Sequence, residues 1–379
     1  MREMSVEAEF DAVIVGAGIA GASFAHALAP HARVLLLERE SQPGMHSTGR
    51  SAAMFMESYG PPQVRALTRA SRAFYERPPT GFTETPILAE RGALYVGWRG
   101  QERALDALTH ELQASGSVVE RIDAAQCLRR VPVLRAEGLL GGVLEVDAMD
   151  IDVHALHQGF LRGVKRAGGA LWCDAEVQHA ESRGGRWALT MVDGRRVNTR
   201  TAVNAAGAWA DEVARRCGAQ PLGIQPKRRS AFTFAPPAGL DIGGWPTVAD
   251  VDERWYFKPD AGQLLGSPAN ADPVPAHDVV PEELDIATGI AAIEERTTLT
   301  IRRPTRTWAG LRSFAPDGEL VIGWDPRRSA FFWLAGQGGY GIQSAAAAAQ
   351  LAAALWLGAP LPEDLRAQHV DAHALAPGR

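Results

Sequence analysis

The chain has 379 residues, of which 39 are basic and 44 acidic, for a formal net charge of −5. This length exceeds the roughly 250 to 300 residues at which single cores stop growing, so we expect two domains. There is no basic stripe, which argues against nucleic acid as a partner. Cys127, Cys173 and Cys217 are widely spaced with no CxxC, which indicates neither a disulfide framework nor a zinc site.

Two segments bear on the protein's location. The polar residues 1–9 lack the apolar core of a signal peptide. The alanine-rich residues 344–357 are interrupted by Gln350 and are too short to cross a bilayer. We therefore expect a cytoplasmic protein with no transmembrane segment, and peripheral contact with the inner membrane stays open.

The first glycine-rich turn lies between a predicted strand and a predicted helix. Residues 12–15 form an apolar run typical of a buried strand, and residues 20–28 follow as the helix. Gly16 permits the tight turn, Gly18 lets the backbone approach a pyrophosphate, and Gly21 lets the helix pack on the strand. This arrangement predicts a dinucleotide-binding unit.

The next segments support that prediction. The apolar residues 34–37 end in Glu38, at the roughly twenty-residue spacing of an acid that accepts a ribose hydroxyl. The small, polar residues 46–53 offer hydroxyls and backbone amides to a phosphate or a flavin edge. On composition alone, a plain surface loop explains residues 46–53 equally well. Helical spacing then covers residues 64–75.

From about residue 85 the pattern changes to short strands and turns, including residues 93–98. Helical spacing returns after residue 150 and is followed by a predicted strand at residues 170–177. Residues 201–207 predict another strand, which runs into a helix at residues 208–217 with Gly207 at the tight turn. These patterns indicate that the dinucleotide-binding domain resumes after an insertion.

A second insertion carries predicted strands at residues 229–234 and 255–257. Strand alternation allows Arg229 and Tyr256 to face one side of a sheet, as the roof of an anion-binding pocket. We therefore predict an α/β fold in which a Rossmann-like domain carries an inserted α+β substrate domain. The first comprises residues 8–84, 150–220 and 305–379, and the second residues 85–149 and 221–304.

Seven motifs together carry a resemblance to a known family. They are GAGIAG at 16–21, LERE at 37–40, HSTGRSAA at 46–53, NAAG at 204–207, QPKRRSAF at 225–232, GLRS at 310–313 and GQGGYGIQ at 336–343. Over nearly its whole length the chain resembles the D-amino-acid oxidase superfamily of FAD enzymes, and more closely its bacterial D-arginine dehydrogenase branch.

The resemblance implies non-covalently bound FAD. Besides Gly16, Gly18 and Gly21, the implied contacts are Ala20, Glu38, Arg39, Ser47, Thr48, Arg50, Ser51, Ala52, Ala53, Met54, Val177, Gly207, Gly338, Gly339, Tyr340, Gly341, Ile342 and Gln343. A member of this family moves the α-hydrogen of an amino acid to flavin N5 as hydride. The imino acid that remains hydrolyses to a 2-oxo acid and ammonia.

The resemblance also implies how the substrate is held. Arg312 is expected to bind the substrate carboxylate through two parallel, charge-assisted hydrogen bonds, supported by Arg229 and Tyr256. Tyr59 supplies a further hydroxyl, and the Gly339 carbonyl accepts from the α-amino group. No residue is assigned as a general base. A quinone or another acceptor takes the electrons, and the branch favours a dehydrogenase over an oxidase.

The chain departs from the branch pattern in its substrate pocket. This chain has Ala93 at the position where the branch pattern has an acidic residue. Met54 and Met56 stand where the branch has polar residues. The remaining pocket positions are Thr247, Ala249 and Gln343. Without a buried carboxylate, a cationic substrate side chain loses a charge-assisted hydrogen bond that contributes roughly 1.5 to 3 kcal/mol. The apolar replacements stabilise an apolar substrate side chain by about 0.8 kcal/mol for each CH₂ that is buried. We therefore expect a neutral, hydrophobic D-amino acid as the substrate.

Several alternatives stay open. Glu90 or another acid could replace the missing carboxylate, which would give a D-arginine or D-lysine dehydrogenase, or these positions could be core packing, since methionine readily fills irregular gaps. An oxidase of secondary or N-methylated amino acids would use the same fold. The first glycine turn alone would also fit an NAD-linked dehydrogenase or a non-catalytic nucleotide-binding protein.

Overall fold

The computed structural model describes residues 9–379. The polar start, apart from Glu9, and the first residue of the predicted segment 8–84 lie outside the described residues. Over the described range the helices are α1 (Ile19–Leu28), α2 (Pro62–Glu76), α3 (Glu102–Ala114), α4 (Ala124–Arg130), α5 (Val153–Arg166), α6 (Ala210–Arg216), α7 (Glu283–Arg296), α8 (Ala345–Leu357) and α9 (Glu363–Ala367).

The strands form three sheets. In chain order they are β1 (Glu9–Val15), β2 (Val34–Leu37), β3 (Met54–Phe55), β4 (Leu88–Glu90), β5 (Ala93–Trp98), β6 (Val119–Asp123), β7 (Leu139–Glu145), β8 (Met149–Ile151), β9 (Ala170–Trp172), β10 (Val177–Arg183), β11 (Arg186–Met191), β12 (Arg196–Asn204), β13 (Gln225–Phe234), β14 (Thr247–Asp250), β15 (Tyr256–Asp260), β16 (Gln263–Ser267), β17 (Asp272–Pro273), β18 (Arg306–Phe314), β19 (Val321–Trp324) and β20 (Phe331–Ala335).

The first sheet has a parallel centre. β1 lies between β2 and β12, with β9 beyond β2 and β20 beside the end of β12. All four residues of β2 are apolar and buried, as expected for a parallel strand covered on both faces. On β1, Ile14 faces a core shared with α1, α2 and α8, whereas Val13 and Val15 face a second core shared with α6. The predicted α/β fold is confirmed.

The second sheet joins the two inserted segments. β14 pairs in parallel with β5, which places Thr247 opposite Ala93, and the other pairings in this sheet are antiparallel. Phe232 and Phe257 face an apolar core that includes residues of α4 and α7. The alternating pattern predicted from the sequence accounts for this burial, because aromatic side chains point into the core at every second position.

β18 also belongs to the second sheet. It pairs with β13 along nine residue pairs, from Gln225 opposite Phe314 to Thr233 opposite Arg306. The predicted division assigns residues 305–379 to the first domain, whereas this strand is an edge of the second sheet. The predicted domain boundary at residue 305 therefore does not coincide with the division between the two sheets, because β18 follows the boundary and still belongs to the second sheet.

Local differences from the predicted elements have physical causes. α3 and α7 form where the sequence predicts only short strands and turns, and α3 buries Leu105 and Leu112 at helical spacing. The strand predicted at residues 170–177 divides into β9 and the start of β10, because Asp174 between them has a left-handed backbone with φ of +49°. Gly207 has φ of +55° and lies at the predicted turn.

The alanine-rich segment near the C-terminus is the helix α8. Its side chains from Ala345 to Ala349 are buried, and it packs on α1 and α2. Among residues 9–379, no helix combines the length and the apolar character that crossing a bilayer requires. The third sheet is small and consists of β3, β8 and β4.

Candidate active site

A cleft with an empty volume of about 1040 Å³ lies at the carboxyl ends of the central parallel strands. Many of the predicted FAD contacts line it, namely Gly16, Gly18, Ala20, Glu38, Arg39, Ser47, Thr48, Val177, Gly207 and Gly338. We call it the dinucleotide cleft. Its position at strand ends and at the start of α1 is that of dinucleotide sites in open α/β sheets.

The backbone of the first glycine turn leaves no room for side chains. Gly16 has φ of +103°, and a Cβ there would lie 2.5 Å from the carbonyl oxygen of Ala205. A Cβ on Gly21 would lie 1.9 Å from the carbonyl oxygen of Gly16. Gly21 does not line the cleft, and its close contact with the turn agrees with the predicted helix–strand packing.

Glu38 organises the same turn. One of its carboxylate oxygens accepts a hydrogen bond from the Ala17 amide at 3.2 Å, and the other accepts from the Glu40 amide at 3.1 Å. Burial raises the pKa of Glu38, and the hydrogen bonds from the Glu40 and Ala17 amides lower it. Nearby, the Ile19 amide at the start of α1 donates to Thr48 Oγ1 at 3.0 Å. The turn is thus preorganised by residues from two predicted motifs.

The dinucleotide cleft also contains two buried polar atoms without a hydrogen-bond partner among the described residues. Ser313 Oγ and Gln337 Nε2 are buried side-chain atoms that line the cleft and have no hydrogen-bond partner among residues 9–379. Buried polar groups in folded proteins are nearly always hydrogen-bonded. A bound dinucleotide would supply acceptors and donors here, so the residues present fit FAD.

A second cavity, with an empty volume of about 1090 Å³, adjoins the cleft. Gly338 lines the cleft and the next residue, Gly339, lines the cavity, so the chain passes from one to the other in a single step. We call it the substrate cavity. The predicted residues that line it are Ser51, Ala52, Ala53, Met54, Met56, Tyr59, Ala93, Arg229, Thr247, Ala249, Tyr256, Arg312, Gly339, Ile342 and Gln343.

Two arginines in the substrate cavity lack acidic partners. Arg312 donates to the carbonyl oxygens of Leu311 at 3.2 Å and Arg50 at 3.1 Å, and Arg229 Nε donates to the carbonyl oxygen of Asn270 at 2.5 Å. Within residues 9–379 neither forms an ion pair. Burial lowers the pKa of the Arg312 guanidinium, and the charge of Arg229 also lowers it. The cavity therefore offers concentrated positive charge to an anion.

Three tyrosines share the cavity with these arginines. Tyr59, Tyr95 and Tyr256 all line it, and Tyr95 was not predicted from the sequence. Burial raises the pKa of Tyr59, while the positive charges of Arg229 and Arg312 lower it. The neutral phenol is therefore the form expected at neutral pH, able to donate one hydrogen bond to a bound anion.

The remaining cavity wall is mostly apolar. Met54 Sδ accepts a weak hydrogen bond from Thr247 Oγ1 at 3.2 Å, which joins β3 to β14. Met56 and Ala93 belong to one apolar cluster, against which Ala249 packs. Glu90, the acid considered as a replacement for the missing carboxylate, is exposed and does not line the cavity.

Sequence reasoning missed several cavity residues: Glu253, Trp255, Lys258, Ala269 and Phe314, besides Tyr95. Glu253 is exposed at the cavity and has a left-handed backbone with φ of +54°. Lys258 Nζ is bonded to Asp150 Oδ1 at 2.7 Å, and Arg91 Nε contacts the other oxygen of Asp150 at 2.7 Å. The strand alternation that places Tyr256 in the cavity also places Lys258 there, so this alternation is the sequence signal from which Lys258 could have been predicted.

Two predicted FAD contacts have other roles in the structure. The Arg50 guanidinium donates to the carbonyl oxygens of Met45, Val279 and Ala309 and contacts Asp278 at 2.6 Å. The Tyr340 ring packs edge-on against Tyr59, with 5.1 Å between centroids. Neither residue lines the cleft or the cavity, nor does Gly341, and their predicted FAD contacts stay predictions.

One strand separates the two ligand spaces. On β18, Leu311 and Ser313 line the dinucleotide cleft, whereas Arg312 and Phe314 line the substrate cavity. This follows from the two-residue repeat of a strand, in which neighbouring side chains point to opposite faces. The Ser47 hydroxyl donates to the Leu311 carbonyl oxygen at 2.6 Å and thereby fixes the strand against the polar loop of residues 46–53.

Comparison with known proteins agrees with this geometry. The model of the family described as "DAO: FAD dependent oxidoreductase" matches residues 11–355. An L-2-hydroxyglutarate dehydrogenase of Salmonella houtenae is 27% identical over 239 residues, which cover 60% of this chain and about half (54%) of that protein. A glycine oxidase of Bacillus licheniformis is 24% identical over 371 residues, covering 93% of this chain and 94% of the relative.

The fold has close counterparts among solved structures. Glycine oxidase from Geobacillus kaustophilus superposes with a TM-score of 0.83 at 21% identity, covering 98% of this chain and 99% of that one. The resemblance to the D-amino-acid oxidase superfamily and the requirement for FAD are confirmed by the family match. The cleft, its unsatisfied polar atoms and this match lead to one conclusion: the chain belongs to the DAO family of FAD-dependent oxidoreductases.

Proposed function

We propose that this enzyme oxidises D-amino acids with neutral, hydrophobic side chains to imino acids, which water then converts to 2-oxo acids and ammonia. The observation that carries the proposal is the composition of the substrate cavity. Arg229 and Arg312 offer unpaired positive charge beside the apolar side chains of Met54, Met56 and Ala93. A carboxylate and an apolar side chain on one small molecule would match both parts. The D configuration is taken from the motif resemblance.

The arginines and tyrosines would orient the substrate. We assign the carboxylate to the Arg312 guanidinium, whose planar fork can form two parallel hydrogen bonds. Arg229 and the Tyr256 hydroxyl would add further contacts, and Tyr59 would close the cavity on the loop side. The exposed Gly339 backbone offers its carbonyl to the α-amino group. Together these contacts would fix the direction of the α-hydrogen.

FAD supplies the redox chemistry when bound, by accepting the α-hydrogen and its electron pair. The residues that would hold it are those of the dinucleotide cleft, with Gly338 to Gln343 at the junction with the substrate cavity. The protein would position the substrate carbon and exclude water from that junction. No side chain is assigned as a base, so the amine would lose its proton to solvent before the transfer.

A second candidate has one observation in its favour. Glu253 lines the substrate cavity with an exposed carboxylate, and a cationic side chain could pair with it there. D-arginine or D-lysine would then be preferred. Because an exposed pair is worth only about 0 to 1 kcal/mol, whereas the apolar wall favours each buried CH₂ by about 0.8 kcal/mol, we place the hydrophobic substrates first.

Anaerobic bleaching of the flavin tests the proposal. Purified enzyme would be mixed with D-leucine, D-methionine, D-phenylalanine, D-arginine and D-lysine, with their L-enantiomers, and with sarcosine. Fastest bleaching by the neutral D-amino acids is the expected result. Preference for D-arginine would select the second candidate, preference for sarcosine would indicate an N-methyl amine oxidase, and no bleaching by any of them would overturn the proposal.

The electron acceptor and location belong to the same proposal. We propose a quinone or a similar acceptor rather than oxygen, in a cytoplasmic enzyme. Reoxidation of the bleached flavin by a soluble quinone and by air, followed by the return of flavin absorbance in a stopped-flow instrument, would compare the two acceptors. Faster reoxidation by air than by the quinone would make the enzyme an oxidase.

A further inference from the structure

A buried acid lies directly behind the wall of the substrate cavity. Glu145, the last residue of β7, is 2% exposed and does not line the cavity itself. Its Oε2 accepts a hydrogen bond from Ser58 Oγ at 2.7 Å, and Ser58 is also buried. Unpaired carboxyl groups are rarely placed in a protein interior without a function or a compensating partner.

Glu145 contacts two segments that form the cavity wall. It lies opposite Ala93 in the antiparallel pairing of β7 with β5, so both side chains point to the same face of the sheet. Ala93 and Tyr95 line the substrate cavity from that face. Ser58 lies between Met56 and Tyr59, which line the cavity from residues 56–60 of the segment 56–61 that joins β3 to α2.

Residues 56–60 are held from two sides. Gln343 Nε2 donates to the Tyr59 carbonyl oxygen at 3.2 Å, and Gln343 Oε1 accepts from the Met56 amide at 3.4 Å. On the other side, Glu145 holds Ser58. Gln343 comes from the C-terminal glycine motif and Glu145 from the second sheet, so the position of Tyr59 depends on both parts of the molecule.

The surroundings of Glu145 make its charge sensitive to pH. Burial raises its pKa to about 7, the hydrogen bonds from Ser58 lower it, and the negative charges of Glu57 and Asp147 raise it. Arg72 Nε offsets part of this by contacting Glu57 at 2.5 Å. Burial and then the charge of Glu145 raise the pKa of the Tyr95 phenol on β5, and Val119 lies opposite Glu145 on β6. The exposed Glu111 on α3 contacts Arg65 at 3.9 Å.

We propose that Glu145 is a positioning residue: through Ser58 it holds residues 56–60, and with them Tyr59, against the substrate cavity, more firmly when ionised than when neutral. The direction follows from reciprocity. The Ser58 hydrogen bond favours the ionised carboxyl, so the ionised carboxyl must favour the bonded position of Ser58 to the same extent. The effect on substrate binding rests on the function proposed above.

Hydrogen–deuterium exchange of the FAD-loaded enzyme tests the structural part. Protection of residues 56–60, corrected for the intrinsic exchange rate, would be measured at pH 6 and pH 8. We expect protection in the wild type to rise about fivefold, the difference between a neutral and a charge-assisted hydrogen bond. Glu145→Gln and Ser58→Ala should show no rise, and Glu111→Gln on the exposed face of α3 should behave as the wild type.

Steady-state kinetics over the same pH range test the functional part. With the fastest substrate, the KM ratio of Glu145→Gln to wild type should rise about fivefold from pH 6 to pH 8, while the kcat ratio stays constant. A purely structural role would not produce this pH-dependent ratio. Ser58→Ala provides the same test by removing the hydrogen-bond donor while the carboxyl at position 145 is kept, in case Glu145→Gln folds poorly.

The two measurements separate failure of this proposal from failure of the proposed function. Unchanged wild-type protection between pH 6 and pH 8, or an equal rise in Glu145→Gln, would overturn the role of Glu145. A pH-dependent protection that Glu145→Gln abolishes would support it even if no amino acid bleached the flavin, which would overturn only the proposed function. Protection as expected with a constant KM ratio would overturn the link between Glu145 and the substrate.

Discussion

The dinucleotide cleft and the substrate cavity are built from different parts of the chain. In the cleft, many of the lining residues come from short motifs near the start of the chain: the turn around Gly16, the acid Glu38 that follows it and the loop bearing Thr48. In the substrate cavity, side chains converge from β5, β13, β14, β15 and β18, which are far apart in the sequence. The cleft is mainly a product of backbone geometry, and the cavity is mainly a product of side chains.

This difference explains why one fold can serve several substrates. Backbone geometry around the glycines admits few replacements, whereas cavity side chains can change without altering the strands that carry them. In this chain Ala93 and Met56 give the cavity an apolar wall, while Arg229 and Arg312 supply charge. Substitutions in the cleft should therefore abolish cofactor binding, and substitutions in the cavity should change rate and selectivity.

The largest effect is expected at Gly21. In Gly21→Ala the new Cβ would overlap the Gly16 carbonyl oxygen at 1.9 Å, so the turn must shift and bound FAD should be lost, by on the order of 100-fold or more in affinity. The ratio of flavin to protein absorbance measures this. Gly244→Ala is the matched control, because a Cβ there meets nothing within 4 Å. Full flavin content in Gly21→Ala would show that the cleft tolerates more than its geometry indicates.

Whereas losing FAD at Gly21 would remove all activity, Arg312 should have the largest effect on turnover in enzyme that retains its flavin. Arg312→Met should lower kcat/KM about 1000-fold, since two charge-assisted hydrogen bonds of roughly 1.5 to 3 kcal/mol each are lost, with the flavin retained. Arg312→Lys should fall between this variant and wild type. Because no acid pairs with this buried guanidinium, Arg312→Met should also raise the melting temperature. The exposed Arg302 provides the control as Arg302→Met, and equal activity in both variants would remove Arg312 from the site.

The buried Glu145 gives a prediction about stability. Its pKa rises on folding from 4.5 to about 7, so the folded state binds more protons between these values and stability falls as pH increases through that window. Glu145→Gln removes the free-energy cost of burying an ionised carboxylate, because the amide carries no charge. Its advantage over wild type in urea unfolding should grow by about 2 to 3 kcal/mol from pH 5 to pH 8. A constant difference at the two pH values would mean that the carboxyl is not desolvated.

A smaller change concerns selectivity at Ala93. Ala93→Glu should raise the ratio of kcat/KM for D-arginine to that for D-leucine by about 10- to 100-fold, from a charge-assisted contact of roughly 1.5 to 3 kcal/mol. The assay belongs at pH 8.5, because Glu145 lies opposite and would keep the new carboxyl partly protonated. Ala89→Glu, exposed on β4, is the control. No change in the ratio would overturn the assignment of Ala93 to the side-chain end of the cavity.

The smallest effect is expected at the rim of the dinucleotide cleft. Asp278 contacts Arg50 at 2.6 Å and His46 at 3.7 Å, and it is largely exposed. Asp278→Asn should raise the dissociation constant of FAD only about two- to fivefold, because exposed ion pairs contribute little. Fluorescence of released flavin measures it, with the exposed Asp106→Asn on α3 as control. A much larger loss would make this contact part of the cleft's framework.

The sequence was most informative where the chemistry is local. The turn from Gly16 to Gly21 and its strand and helix could be predicted because a tight turn, a close approach and a helix start need particular residues at fixed spacing. The roles of Arg312 and its neighbours are predicted through motif resemblance and stay predictions. α3 is not among the predicted elements although Leu105 and Leu112 carry its spacing, because short-strand patterns dominate the surrounding sequence.

The contacts that were missed depend on long-range pairing. Tyr95 reaches the substrate cavity because β5 pairs with β14 from the other insertion, which places Ala249 opposite Tyr95. Nothing in either segment alone indicates this pairing. The burial of Glu145 similarly depends on Ser58, 87 residues away. A single sequence shows which residues could act, but not which of them the sheets bring together.

Because alternate side chains of β18 point into the dinucleotide cleft and the substrate cavity, the linings of the two spaces can change independently during evolution. Under the proposed function, changes at Arg312 or Phe314 would alter which substrate the enzyme accepts while Leu311 and Ser313 keep their places. Loss or gain of a single residue within the strand has no such freedom, since it would exchange the two faces at once. Natural variation here should therefore consist of point substitutions at every second position, with length held constant.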